Sequence, residues 1–296
     1  MDMNNKLLHD KNTNVVFLSP CLNTKKYGNP KFYKELMTIL KEMGIETREL
    51  KCTRDYWARD YMPIQLGEND FLKYHYYPDY LINRDDIDSI TDVSKVISGM
   101  GINCRSTNLI IDGGNMVPCG PYIVMTDKVF SENRKKKDDW EFKALLDSEL
   151  GHPVIIIPWT SHEDDVYGHS DGFIKWCGDN RILMGNHGDC YPEEAASIRR
   201  ILESYGFEVT EICFKGIVDK PCYDLNWAYI NFLQVGKNII MPKFNIEEDT
   251  IAQQYIQEAF PDCCIRQIEM AEIAKEGGAL HCLSWNVYLP KTHVKR

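Results

Sequence analysis

Five times along the chain the same order of elements recurs: a helix ending near glycine or proline, a strand, a short polar stretch, and a hairpin closed by a glycine-containing turn. The copies are spaced by about 50 to 57 residues, the range in which a recurring pattern marks a repeat architecture. The first strand is the apolar run Val15-Val16-Phe17-Leu18, stopped by Pro20. Over 29–43, Phe32, Leu36, Ile39, Leu40 and Met43 line one face of a helix that Gly44 ends. Ile45 to Leu50 then alternates as a strand, a polar stretch around Asp60 follows, and Gly67-Glu68-Asn69-Asp70 turns a hairpin. The later turns are Cys119-Gly120-Pro121, Gly178-Asp179-Asn180 and Gly236-Lys237-Asn238. Further helices are predicted over 135–150, 192–205 and 247–260, with the charge run Arg134 to Asp139 as the solvated start of the first.

Each such unit has a sheet and a helix that it cannot bury alone. Five of them bury both most economically as a closed ring, with an α/β fold of five ββαβ-like repeats. No linker or low-complexity segment interrupts the pattern, so residues 1–296 read as one domain. In a closed ring the equivalent polar stretches meet at the axis. Asp60, Asp112, His169 with Asp171, and Cys282 fall in these stretches of four different repeats. The ring therefore gathers one thiol, one imidazole and three carboxylates.

Composition narrows the chemistry. A net charge of −10 disfavours nucleic acid and anionic membranes as partners and is compatible with a cationic small substrate. No apolar run approaches the length of a membrane span, and Met1 to Lys6 opens without the apolar core of a signal peptide. Eleven cysteines without CxxC pairs suit a reducing cytosol, so a cytoplasmic location is expected, with neither metal nor cofactor. Cys119, Cys177, Cys190, Cys213 and Cys222 read as ordinary cysteines. Oligomeric state stays open, with a homo-oligomer allowed.

A cysteine attacks as the thiolate, and an imidazole or a bound cation lowers its pKa. Cys282 follows the pair Gly277-Gly278 and precedes Leu283, Trp285, Val287 and Leu289, which places it at the mouth of a strand. Two facing carboxylates call for a cation between them, and a planar guanidinium offers paired donors on each edge. Its carbon is then the electrophile held against the sulfur. His169 would protonate departing ammonia and then activate water, so that a covalent thiouronium becomes a ureido product. Taken singly the residues have plainer readings: Asp112 as a turn residue before two glycines, Asp60 as an ion pair with Arg59, and Trp57, Trp227 and Trp285 as core.

At these residues the chain resembles the agmatine deiminase and bacterial peptidylarginine deiminase family. The motifs are Trp57-Ala58-Arg59-Asp60, Asp112-Gly113-Gly114-Asn115, Gly168-His169-Ser170-Asp171, Ala228-Tyr229-Ile230-Asn231-Phe232 and Gly277-Gly278-Ala279-Leu280-His281-Cys282. The resemblance implies the pentein fold, a five-bladed α/β propeller, and a metal-free guanidine iminohydrolase of polyamine (putrescine) metabolism. It implies Cys282 as nucleophile, His169 as general acid and base, and Asp112 where the family carries an acidic partner, usually glutamate. Asp60 and Asp171 would clamp the guanidinium, with Trp57, Asn115, Trp227 and Gly278 also expected at the substrate. The same residues serve an arginine or peptidylarginine deiminase, or an amidinotransferase that uses an amine in place of water. Ribosome anti-association factors resemble this fold without being enzymes, and the complete Cys/His/Asp set argues against that reading.

Overall fold

The structure is a computed structural model that describes residues 6–26, 28–160, 165–219 and 224–290. Among the described residues it contains five three-stranded sheets. The second sheet holds β3 (Ile64–Gly67), β4 (Asp70–His75) and β5 (Cys104–Ile110). The third holds β6 (Val117–Cys119), β7 (Tyr122–Thr126) and β8 (Val154–Ile157). The fourth is built from β9 (Ile174–Gly178), β10 (Arg181–Met184) and β11 (Glu208–Glu211), the fifth from β12 (Leu233–Val235), β13 (Asn238–Lys243) and β14 (Cys264–Glu269). In each, the first two strands are an antiparallel hairpin, and a helical crossover returns the chain parallel to the central strand.

The first sheet closes the ring. Its β1 (Val15–Leu18) pairs parallel with β2 (Glu46–Glu49) and antiparallel with β15 (Ser284–Val287), in the register Val15 with Val287 and Leu18 with Ser284. One blade is thus completed by segments from opposite ends of the sequence, and the expected fold of five ββαβ-like blades is the one observed.

The helix Pro30–Glu42 starts where the Asn29 side chain accepts from Phe32 N at 3.0 Å, and it buries Phe32, Tyr33, Leu36 and Leu40 against the Val16 and Leu18 face of β1. Each such leucine contributes about 1.5–3 kcal/mol by leaving water. The helix expected over 135–150 starts later, at Trp140–Leu150. Arg134 sits at φ 56°, and Asp139 accepts from Phe142 N at 2.9 Å, so the charge run precedes the cap. The crossover of the second blade is two short helices, Asp79–Asn83 and Val93–Ile97. Of the cysteines read as ordinary, Cys190 is disulfide-bonded, and Cys222 lies outside the described residues. Among the described residues no helix is long and apolar enough to cross a membrane.

Candidate active site

A short helical turn precedes the first strand of each hairpin and the closing strand β15. The five turns are Ala58–Tyr61, Gly113–Asn115, Ser170–Gly172, Asn226–Ile230 and Leu280–Leu283. Cys282 is in the turn that runs directly into β15, two residues before Ser284. Neighbouring turns pack against one another around the axis.

This arrangement brings Asp60, Asp112, His169, Asp171 and Cys282 together, all buried. Asp112 Oδ2 is 2.9 Å from His169 Nε2, and Asp60 Oδ1 is 3.5 Å from His169 Nδ1. The Cys282 thiol donates to Asp171 Oδ2 at 3.7 Å, and Cys282 N donates to Asn231 Oδ1 at 3.3 Å. Arg59 does not pair with Asp60: its guanidinium turns to Asn286 Oδ1 and to the His281 carbonyl. Asp60 Oδ1 instead accepts from Gly114 N at 3.1 Å. A Cβ on Gly114 would stand 2.6 Å from His169 Nδ1 and 2.7 Å from Asp60 Oδ1, so only glycine lets the backbone approach this pair.

The site carries more negative than positive charge, and its proton affinities follow. Burial raises Asp60 to about 7; the positive His169 opposes this, while Asp112 and Asp171 add to it. Burial disfavours the His169 imidazolium, but the charge of Asp60 and the hydrogen bond to Asp112 outweigh it and raise His169 to about 10. The Cys282 thiol is pushed well above its ordinary value by burial, then by Asp171 and Asp60. Burial would raise Asp171 too, but its bond to His281 and the charges of His281 and His169 bring it below the usual carboxylate range. The Oδ1 atoms of Asp112 and Asp171 are buried without a hydrogen-bond partner among the described residues.

A cavity of about 900 Å³ opens over Asp60, His169 and Cys282, with Trp57 and Gly278 in its wall. A Cβ on Gly278 would stand 2.3 Å from Trp57 Cζ3, so this glycine makes room for the indole. The other three expected substrate contacts are not in its lining: Asp171 reaches it only through the Cys282 thiol, and Asn115 and Trp227 lie elsewhere. The Asn115 carbonyl oxygen is taken by Thr126 N at 2.8 Å and Ser170 N at 3.3 Å, which ties its turn to the next. Trp227 packs against the hydrophobic cluster around Phe214 and Tyr229, and is not among the residues lining this cavity. Trp285 is core, with its indole donating to Pro63 O at 2.7 Å.

Several participants were not singled out from the sequence. The Tyr74 hydroxyl lies 2.8 Å from the carbonyls of both Asp60 and Met62, and Tyr80 and Tyr167 wall the cavity beside His169. Lys128 is fully buried, 2.8 Å from Val166 O and 3.1 Å from Asp79 Oδ1, with its ammonium over the Tyr80 ring. Asn231 lay inside a recognised motif, but its polar amide among apolar neighbours was the one local sign of its role.

Five small sheets closed into a ring, with a thiol, an imidazole and carboxylates on the inter-blade turns at its axis, place the chain in the pentein class of folds. Within that class it belongs to the Porphyromonas-type peptidyl-arginine deiminase family, whose model matches residues 23–287. The agmatine deiminase of Ectopseudomonas mendocina is 24% identical over 212 residues, which cover 61% of this chain and 57% of that protein. The chain thus spans less than two thirds of that curated relative. Among solved structures, a cysteine-to-serine variant of C. jejuni agmatine deiminase with substrate bound superposes with a TM-score of 0.78 at 17% identity, over 96% of each chain. Agmatine deiminase of Enterococcus faecalis gives 0.73 at 15% identity, over 95% of each.

Proposed function

We propose that this protein hydrolyses the guanidinium group of a small cationic substrate, releasing ammonia and a ureido product through a covalent intermediate on Cys282. One observation carries the reading: the thiol lies 3.7 Å from one buried carboxylate, in a cavity where His169 is held between two more. The empty site has an excess of carboxylates, and Asp60 and Asp171 are the two that a guanidinium would bridge. Its arrival neutralises the charges that hold the thiol protonated, so substrate binding favours the thiolate. The thiol proton leaves to the solvent of the cavity.

The thiolate then forms a bond to the guanidinium carbon. His169, protonated at neutral pH, gives its proton to the departing nitrogen, the C–N bond breaks, and ammonia leaves. The carbon stays on sulfur as a thiouronium. His169, now neutral, takes a proton from water as the water oxygen attacks the same carbon. The C–S bond breaks and the ureido product is released. Asp112 keeps His169 in place through both steps.

The remaining lining of the cavity supports a substrate with a second positive charge. There Asp55, Asp86, Asp88, Glu272 and Glu276 outnumber Lys26, Arg54 and Arg84. An aminoalkyl guanidine such as agmatine suits that balance better than free arginine, whose carboxylate would face the acidic rim. Incubation with agmatine, arginine and arginyl peptides, with ammonia and ureido product measured, tests the reading. Agmatine is expected to be turned over fastest. No product from any guanidine would overturn the hydrolase, and transfer of the amidino group to an added amine would replace it with an amidinotransferase.

A further inference from the structure

Behind the thiol, on the side away from the substrate cavity, lies a chain of charged groups that the reaction above does not use. His281 Nδ1 is 2.6 Å from Asp171 Oδ2, the oxygen that also receives the Cys282 thiol. The other ring nitrogen, Nε2, is 3.5 Å from Asp10 Oδ2, which lies 2.6 Å from Lys175 Nζ. The second oxygen of Asp10 accepts from Asn286 Nδ2 at 2.9 Å. The His281 backbone is pinned as well: its N–H donates to Asn231 O at 3.0 Å, and its carbonyl accepts from Arg59 Nε at 3.4 Å. The charged groups facing His281 are thus Asp171 and Asp10 at its ring and Arg59 at its carbonyl, with Lys175 beyond Asp10; the Ser284 hydroxyl also donates to that carbonyl, at 3.2 Å.

We infer that His281, Asp10 and Lys175 form a string that presets the carboxylate of Asp171, with His281 as a positioning residue that acts through Asp171. The inference rests on the reading of Asp171 as a guanidinium clamp. A carboxylate can turn about its last bond and can take up a proton, and either change would spoil a clamp. The bond from His281 fixes which oxygen meets the thiol, while the other oxygen, Oδ1, is buried without a hydrogen-bond partner among the described residues. Against the cost of burial, the hydrogen bond and charge of His281, with His169 and Arg59, also hold Asp171 ionised while its counterpart Asp60 rises to about 7. The two clamps are therefore unequal: one is charged in advance, and the other becomes charged as the pH rises through neutrality.

The string ends at a second cavity, of about 330 Å³, lined by Asp10, Lys175 and His281. Its rim carries Lys11, Arg181 and Lys237 with Asp179 and Asp262. This opening allows a test by substitution and chemical rescue. In His281→Ala, kcat/KM is expected to fall about 100-fold, the size of effect that misplacement of a reacting group produces. The acid side of its pH profile should steepen from one proton toward two, because Asp171 then titrates alongside Asp60. Added imidazole, entering from the second cavity, should restore rate and return the slope to one. His281→Asn, which keeps a donor near the Nδ1 position, covers the case in which the alanine variant does not fold, and should keep part of the rate.

A second arm is independent of turnover. The wild type should be alkylated at Cys282 faster by cationic 2-chloroacetamidine than by neutral iodoacetamide, and His281→Ala should lose that preference. If the wild type turns over no guanidine, the proposed function falls, while this ratio still decides on the string. A His281→Ala enzyme with wild-type kcat, KM and single-proton acid limb, or with an undiminished preference for the amidine, overturns the inference.

Discussion

Asp112 Oδ2 meets His169 Nε2 at 2.9 Å, while the other nitrogen of the same ring faces Asp60 at 3.5 Å. Neither ring nitrogen is left to act as a free base, and the imidazole is held as its cation. The free enzyme should therefore work between two limits: an acid limb near 7, where Asp60 ionises, and a basic limb near 10, where His169 loses its proton. Asp112→Asn removes the negative charge that favours the imidazolium, so the basic limb of kcat/KM should move to lower pH. An unmoved limb with a large rise in KM would put Asp112 on the substrate instead.

Asp60→Asn should abolish the acid limb and weaken transition-state binding by about 2–5 kcal/mol, as when one partner of a buried charge pair is truncated. The measurement is kcat/KM for the guanidine substrate across pH 5–9 (a window of about two pH units either side of neutrality). A near-native value would make Asp60 a scaffold for Gly114 and His169 only.

Cys282→Ala should lose turnover while keeping the melting temperature of the wild type. Because the thiol is raised well above its ordinary value, iodoacetamide at neutral pH should modify exposed Cys52 and Cys264 before Cys282. A haloacetamidine should reverse that order, since it brings its own cation to Asp60 and Asp171. Peptide mapping after partial labelling reads the order directly, and an unreversed order would count against the clamps.

Gly278→Ala places a methyl group where the Trp57 ring stands, at 2.3 Å. Overpacking of this kind costs about 1–3 kcal/mol, and here it should appear in KM because Trp57 walls the substrate cavity. Combining it with Trp57→Leu should cost less than the sum of the two single changes. Strict additivity would show that the indole and the glycine do not meet in the working enzyme.

The blades were legible because each hairpin is closed by a local turn and each crossover helix carries its own apolar stripe. The axial cluster was legible for the same reason: Asp60, Asp112, His169, Asp171 and Cys282 occupy matching places in a repeat. What lies one layer out was not. Lys128 and Asp10 carry no local sign of burial, and their partners come from distant blades. His281 was in plain view beside Cys282, yet successive residues on a helical turn point about 100° apart, so the pair faces different cavities. Asn115 lies in the matching turn, but its amide is taken up in joining that turn to its neighbour.

The closure of the first blade has a consequence for assembly. β15 and β1 are separated by nearly the whole sequence, and the turn that carries Cys282 runs directly into β15. As a chain grows, the other four blades can form from contiguous segments, whereas this pairing waits for β15 and must close the longest loop in the molecule. The nucleophile is thus positioned after the acids that flank it. A partly made ring would already hold Asp60, His169 and Asp171 near one another, but would have no sulfur to attack with, so the molecule acquires its reactive atom only as it becomes a complete circle.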